Sequence, residues 1–229
     1  MKSSDSIQRT PLSIIIFASV LLLTNCKNPP EPSFTYAPAD NPEAGDTIRF
    51  TNTTVEAQSY EWDLGNGSVS SEENPYTIYE STGSKEVMLT ATNEAGSASV
   101  TESVTINDPT LLGFFVYSDT TLTTEIPGCE IWLYDNESDF NMQTAPQLFE
   151  FTDDEGFILF ANMEPQIYYV IAYKEVSGGY WAAGGFTQSL SQNMAQAYNI
   201  VCTFTPDETN KKRLYFQQLP GRITPAGPF

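Results

Sequence analysis

The sequence predicts an all-β chain: two tandem antiparallel β-sandwiches behind an N-terminal export segment. Three observations predict it. Apolar and polar residues alternate in short runs through residues 33–205. Gly, Pro, Asn and Asp separate those runs. The longest apolar run, residues 12–23, stands at the N-terminus behind Lys2 and Arg9 and is broken only by Ser13 and Ser19. Period-two alternation with β-branched and aromatic residues marks half-buried strands, and many such strands with regular turns build a sandwich.

The apolar run is shorter than the ~20 residues that span a bilayer. With its basic flank and abrupt end it fits the core of a secretory signal. It ends Leu23-Thr24-Asn25-Cys26. This resembles a bacterial lipobox, with Asn25 where Gly or Ala is usual. The resemblance implies cleavage after residue 25 and acylation of Cys26 on its sulfur and new amino group. A multiply acylated cysteine anchors stably, so the membrane is an expected partner. Lys27 is not an inner-membrane retention residue, which points to the outer membrane. Residues 26–32 hold Pro29, Pro30 and Pro32 and read as a stiff, extended linker.

The 229 residues suit two small domains, and 40% hydrophobic with 13% aromatic residues suffices for packed cores. Charge is lopsided: 10 Lys and Arg against 29 Asp and Glu give −19. Such a surface repels phosphate backbones, so nucleic acid is not an expected partner. The chain has no histidine. That removes the commonest general base, the Ser-His-Asp triad and the usual zinc ligand. We expect no cofactor, no metal and no enzyme activity; catalysis would have to rest on carboxylates alone.

Residues 33–107 form the first predicted domain. Ile48 and Phe50, then Tyr60, Trp62 and Leu64, then Val87, Leu89 and Ala91, then Val104 and Ile106 occupy alternate positions. Within them stands Tyr60-Glu61-Trp62-Asp63-Leu64-Gly65-Asn66-Gly67, followed in order by Asn74-Pro75, Tyr79, Gly83 and Asn93-Glu94-Ala95-Gly96. This segment resembles PKD domains, with Leu64 for the usual Phe and Asn66 for the usual Asp. The resemblance implies an immunoglobulin-like sandwich acting as spacer or binding module. Trp62 is the expected plug between the sheets. Asp63 is expected to bond turn amides, and Asn66-Gly67 to make a tight turn.

Asn107-Asp108-Pro109 marks a boundary, and residues 110–205 form the second predicted domain. Residues 111–117 and 127–134 read as strands, the latter placing Cys129, Ile131 and Leu133 on one face. Thr152-Asp153-Asp154-Glu155-Gly156, Phe160, Met163, Pro165, Tyr168 and Val170 then follow. This series resembles carboxypeptidase regulatory-like and Cna B-type domains, which implies a transthyretin-like sandwich. Residues 111–117 contain no lysine, so no internal isopeptide is expected.

Asp135, Glu137, Asp139 and Asn141 superficially resemble a calcium loop, but Phe140 and Pro146 stand where Gly and Glu are needed. They read as a connecting loop, and 153–155 as a charged hairpin turn. Alternation turns Cys129 and Cys202 inward. With Cys26 acylated, an even pair remains in an oxidising compartment. We expect a disulfide; two buried free thiols are the alternative. Gly178-Gly179-Tyr180-Trp181 permits two readings: rings displayed for sugar or protein contact, or rings packed on the sandwich. Trp132 and Tyr134 alternate outward and could join that patch. In the extension 206–229, residues 214–219 are expected to form one more strand or to dock on the sandwich, and the Pro-rich end is expected to be loose.

The expected function is therefore a lipid-anchored, extracytoplasmic protein presenting sandwich modules for glycan or protein adhesion. The alternatives are a structural stalk in a cell-envelope assembly and, with less support, a carboxylate-dependent glycosidase.

Overall fold

The computed structural model describes residues 28–206 and 222–226. Cys26, the signal segment and residues 214–219 lie outside the described residues.

The first domain contains β1 (Phe34–Ala37), β2 (Thr47–Asn52), β3 (Ser59–Asp63), β4 (Val69–Ser70), β5 (Tyr76–Ile78), β6 (Gly83–Asn93) and β7 (Gly96–Ile106). They form two facing sheets, β1-β2-β5 and β4-β3-β6-β7. Alternation decides what faces inward. In β2, Ile48 and Phe50 are buried while Arg49 and Thr51 are exposed. Trp62 fills the gap between the sheets, 5.0 Å from the Phe34 ring and 5.7 Å from Phe50. Its indole nitrogen donates to the Glu72 carbonyl at 3.0 Å.

Asp63 caps the turn that follows β3, accepting from the Gly65 amide at 2.9 Å. Gly65 has φ +70, and a Cβ there would stand 2.6 Å from the Glu86 carbonyl oxygen. Only glycine fits that approach. The Tyr79 hydroxyl donates to the Leu64 carbonyl at 2.6 Å and closes the same corner. The linker expected over residues 26–32 is partly docked: Glu31 bridges to Val55, and Asn93 donates to the Asn28 carbonyl at 2.9 Å. Backbone pairing and the burial of Pro30 draw it into the domain.

The second domain contains β8 (Leu111–Tyr117), β9 (Glu130–Tyr134), α1 (Glu137–Met142), β10 (Leu148–Phe151), β11 (Phe157–Phe160), β12 (Tyr169–Val176), β13 (Gly179–Phe186), β14 (Ala195–Val201), β15 (Thr203–Pro206) and β16 (Arg222–Pro225). The sheets are β10-β9-β12-β13-β15 and β11-β8-β14-β16. Between them lie Leu112, Phe114, Val116, Ile131, Leu133, Val170 and Ile200.

The all-β double sandwich is as expected, with four local departures. β14 runs parallel to β8, so the four-stranded sheet is mixed. Residues 153–155 do not close a hairpin: β10 and β11 lie in different sheets, and the Asp153 carboxylate, accepting from Glu155 and Phe157 amides, holds a crossover. The 135–141 segment is no plain loop. Asn136 caps the Asp139 amide and starts α1, whose first turn carries Glu137 and Asp139, favourable beside a positive helix end. The extension is not loose throughout, because β16 pairs with β14 and the Ile223 side chain packs against the core.

The two sandwiches meet at a carboxylate. Glu43 of the first is only 6% exposed. Its oxygens accept from the Thr110 amide at 2.8 Å, the Thr110 hydroxyl at 2.7 Å, Asn41 at 3.1 Å and Asn193 of the second domain at 3.2 Å. Beside it, Asn162 of the second domain donates to Asp46 at 2.7 Å. The linker is gripped as well: Asn193 donates to the Asp108 carbonyl at 2.7 Å, and Met163 to the Thr110 carbonyl at 3.0 Å. A buried charge with four donors is satisfied, and removing it strands those donors.

Replacing Glu43 by alanine leaves the Thr110 amide and hydroxyl buried without an acceptor, each costing ~1–3 kcal/mol. Urea denaturation of the E43A variant should show that order of loss, and limited proteolysis should cut residues 107–110 faster than in the wild type. Burial and then the neighbouring Asp63 push the Tyr79 phenol up to about 12 from an ordinary 10. Burial and then Asp139 do the same for Tyr134. Folding thus favours the protonated phenols. Their contribution is complete below pH 10 and lost as pH rises through about 12. Thermal melts across that window should fall more steeply for the wild type than for Tyr79→Phe, and equal slopes would contradict the assignment.

Candidate functional site

A sheet in a sandwich ordinarily buries one face and gives the other to water, with polar residues outward. The five-stranded sheet departs from this. Its inward row contributes Ile131, Leu133, Val170, Ala172 and Ala183 to the core. Its outward row is also largely apolar, and much of it is aromatic.

Register builds that outward face. Phe149 of β10 pairs with Trp132 of β9, which pairs with Ile171 of β12, which pairs with Gly184 of β13. One row away, Phe151 pairs with Glu130, Glu130 with Tyr173, and Tyr173 with Ala182. On the other side, Tyr134 pairs with Tyr169 and Tyr169 with Phe186. Beyond the Tyr173 row, Glu175 pairs with Tyr180. Paired residues share a face, so these rings lie on one side of the sheet.

The rings touch. Trp132 meets Phe149 edge-on at 6.0 Å, and Phe149 meets Phe151 at 5.1 Å. Tyr173 and Tyr180 lie 5.6 Å apart, and Tyr169 and Phe186 6.1 Å apart. Between the last two pairs β13 carries only Ala182 and Gly184, which leaves a low strip flanked by rings. Phe149 is 44% exposed, Phe151 54% and Phe186 64%. Charge is sparse: Glu130 accepts from the Trp132 indole at 3.2 Å, and Glu175 stands at one end.

The expected binding residues divide. Trp132 is outward and half-buried against Phe149, and Tyr180 is outward against Tyr173. Tyr134 is outward by alternation but fully buried, because Phe140 of α1 lies over it at 5.9 Å. Its hydroxyl has no hydrogen-bond partner among the described residues. Trp181 does not join the patch. As the next residue after Tyr180 it faces inward, packs on the core and meets Phe204 at 5.3 Å. The reading in which Tyr180 and Trp181 are displayed together is thus corrected by strand alternation.

Phe149, Phe151, Tyr169, Tyr173 and Phe186 were not singled out from sequence. Phe149 and Phe151 alternate around Glu150, a signal that was present. Their meeting with Trp132 depends on long-range register.

A separate concave feature is an interdomain crevice of about 270 Å³, lined in part by Asp40, Glu43, Asp46 and Glu164. Glu43 and Asp46 are committed there to interdomain hydrogen bonds. Among the described residues no group of three Asp, Glu or Cys side chains could hold a metal ion.

Cys129 and Cys202 both lie in the core of the second domain, buried and free in this structure. The Cys129 thiol donates to the Tyr173 carbonyl at 3.4 Å. Hydrogen bonding with Cys129 and then burial push the Cys202 thiol far up.

Residues 29–107 match the family model described as PKD domain, so the chain carries a PKD domain followed by a further β-sandwich region. No curated protein matches. Similar solved structures include the PKD1 domain of Vibrio anguillarum Epp, 26% identical, covering 34% of this chain and 94% of that one at a TM-score of 0.30. The PKD1 domain from the Vibrio cholerae metalloprotease PrtV is 29% identical, covering 34% and 96% at 0.29. The PKD domain from the human VPS10 domain-containing receptor SorCS2 is 21% identical, covering 45% and 95% at 0.31.

Proposed function

We propose that this is a non-catalytic, lipid-anchored outer-membrane protein whose second sandwich binds glycan on its aromatic face, the PKD domain serving as spacer. The observation that carries the binding role is the outward aromatic row of the five-stranded sheet. Leaving such rings in water forgoes ~25 cal/mol for each Å² of apolar surface, and contiguous exposed apolar patches mark interaction surfaces. Sugar rings present apolar C–H faces that lie flat on aromatic rings, and their hydroxyls reach phenols such as Tyr180 and Tyr173. Sparse charge on the face suits a neutral polyol. The same reading takes the second sandwich as a carboxypeptidase regulatory-like or Cna B-type domain; the left-handed Gly156, with φ +70, and the burial of Phe160, Met163, Tyr168 and Val170 support it.

A second reading, a stalk in a cell-envelope assembly, is favoured by the Glu43 junction, which holds the two sandwiches together. In that case the aromatic face contacts a protein.

Glycan arrays, followed by titration calorimetry with the best ligand, test the first reading. Phe149→Ala, Phe151→Ala and Phe186→Ala should each weaken binding about tenfold, roughly 1–2 kcal/mol per stacked ring, with little change in melting temperature because these rings are exposed. No binding by the wild type, with capture of a membrane protein that the triple variant loses, supports the second reading instead. For the anchor, the wild type should incorporate labelled fatty acid and sediment with membranes. Cys26→Ser should do neither, and unchanged labelling would contradict the anchor.

A further inference from the structure

We propose that α1 is a displaceable cover over a latent corner of the aromatic face, and that the Tyr134 phenol beneath it meets a sugar hydroxyl when the cover lifts. The inference rests on the glycan reading for its ligand, and on three structural observations of its own.

The first is an orphan hydroxyl. Tyr134 is 0% exposed, and its hydroxyl has no hydrogen-bond partner among the described residues. Buried phenols ordinarily find a partner. Tyr79 shows the ordinary case: it is as deeply buried, and its hydroxyl donates to the Leu64 carbonyl at 2.6 Å. Tyr134 forgoes that bond while α1 lies over it. A phenol hydroxyl both donates and accepts, and so does the hydroxyl of a saccharide.

The second is how α1 is attached. None of its residues is buried. Its polar side chains bond within their own segment: Asn136 to Asp135 and Asp139, and Thr144 to Asp139. Pairing with the sheet resumes only at Gln147, whose amide donates to the Leu133 carbonyl at 2.8 Å. Of the two apolar residues of α1, Met142 is 61% exposed, and Phe140 meets the Tyr134 and Tyr169 rings at 5.9 and 5.5 Å. The chain leaves α1 through Gln143 and Ala145, with φ 54 and 47, a region that side chains disfavour. One ring therefore holds the cover down against an unpaired hydroxyl and two left-handed residues.

The third is register. Tyr134, Tyr169 and Phe186 form one outward row, and Trp132, paired with Phe149, belongs to the next. Residues two apart on a strand share a face. Tyr134 thus stands between the rings near β10 and those near β13. Covered, it interrupts them; uncovered, it joins them into one path. A sugar ring then takes the place of Phe140 on Tyr134 and Tyr169. A saccharide that touches Tyr134 only in the open state shifts the population towards that state, so α1 sets the apparent affinity of the face.

The full chain is treated with tetranitromethane, and nitrated tyrosines are mapped. Tyr79 is the matched control, because its phenol is pushed up to about 12, as that of Tyr134 is. A lifting cover exposes Tyr134 without unfolding the core, so Tyr134 should nitrate about tenfold faster than Tyr79. Phe140→Ala should speed Tyr134 further and leave Tyr79 unmoved. Equal protection of the two tyrosines in the wild type overturns the proposal. Binding is measured with cellohexaose, laminarihexaose and maltohexaose, which are neutral linear oligosaccharides. Phe140→Ala should bind about threefold tighter, because less of the protein is closed. Weaker binding would make Phe140 part of the site and overturn its role as cover. Tyr134→Phe keeps the ring and removes only the orphan hydroxyl. Its melting temperature should not fall, while its binding should weaken about fivefold. Wild-type binding by Tyr134→Phe, with Phe149→Ala weakened, overturns the inference and leaves the glycan reading standing. No binding by any form overturns both.

Discussion

Successive side chains on a pleated strand point to opposite faces, and both the core and the outer face of the five-stranded sheet follow from what occupies those two rows. In β12 the inward row, Val170 and Ala172, builds the core, and the outward row, Tyr169, Ile171 and Tyr173, builds a second apolar surface. A one-residue slip would exchange the rows. Core and candidate site are therefore specified together: the inward row makes the register costly to change, and the register fixes which rings meet outside. α1 covers one corner of this face, placing Phe140 over Tyr134 and against Tyr169, and leaves the Phe149, Phe151 and Phe186 rings in solvent.

The first sandwich obeys the same rule with an ordinary outcome. Apart from Met88, its outward rows on β6 and β7 are polar, with Thr90 facing Ser99 and Thr92 facing Ser97 at 2.8 Å. The two domains thus differ: the first is stabilised by a Trp-centred core and turns a mostly hydroxyl-bearing β6-β7 face to water, while the second exposes rings on its five-stranded sheet. The Glu43 carboxylate joins them through hydrogen bonds rather than apolar burial, so the junction depends on geometry: Thr110, Asn193 and Asn41 must all arrive together.

Much of the architecture was legible because local signals carry it. The run from Tyr60 to Gly67 announces its own strand, turn and core plug: Asp63 bonds the Gly65 amide two residues on, and alternation with a large aromatic marks Trp62 as inward. Strand-level alternation correctly placed Cys129, Ile131 and Leu133 inside. What failed was non-local or too short to read. α1 is a single capped turn and a half with no apolar period of its own. The β10-to-β11 crossover looks in sequence like any hairpin, because sheet membership is decided by partners far along the chain. Trp181 was grouped with Tyr180 by adjacency, although adjacency in a strand separates faces. The aromatic face gathers residues from four strands, and no single window of sequence contains it. Glu43 was invisible for the same reason, as one acid among 29 whose partners lie in another domain.

The central claim is that the outward row of the five-stranded sheet is an open aromatic surface. Solvent paramagnetic relaxation of ring protons by an inert dissolved probe measures this directly. The account predicts strong relaxation for Phe149, Phe151 and Phe186, an intermediate effect for Trp132 and Tyr180, and almost none for Trp62, Phe50 and Phe114. Rings at 149, 151 and 186 as protected as those of the cores would contradict it.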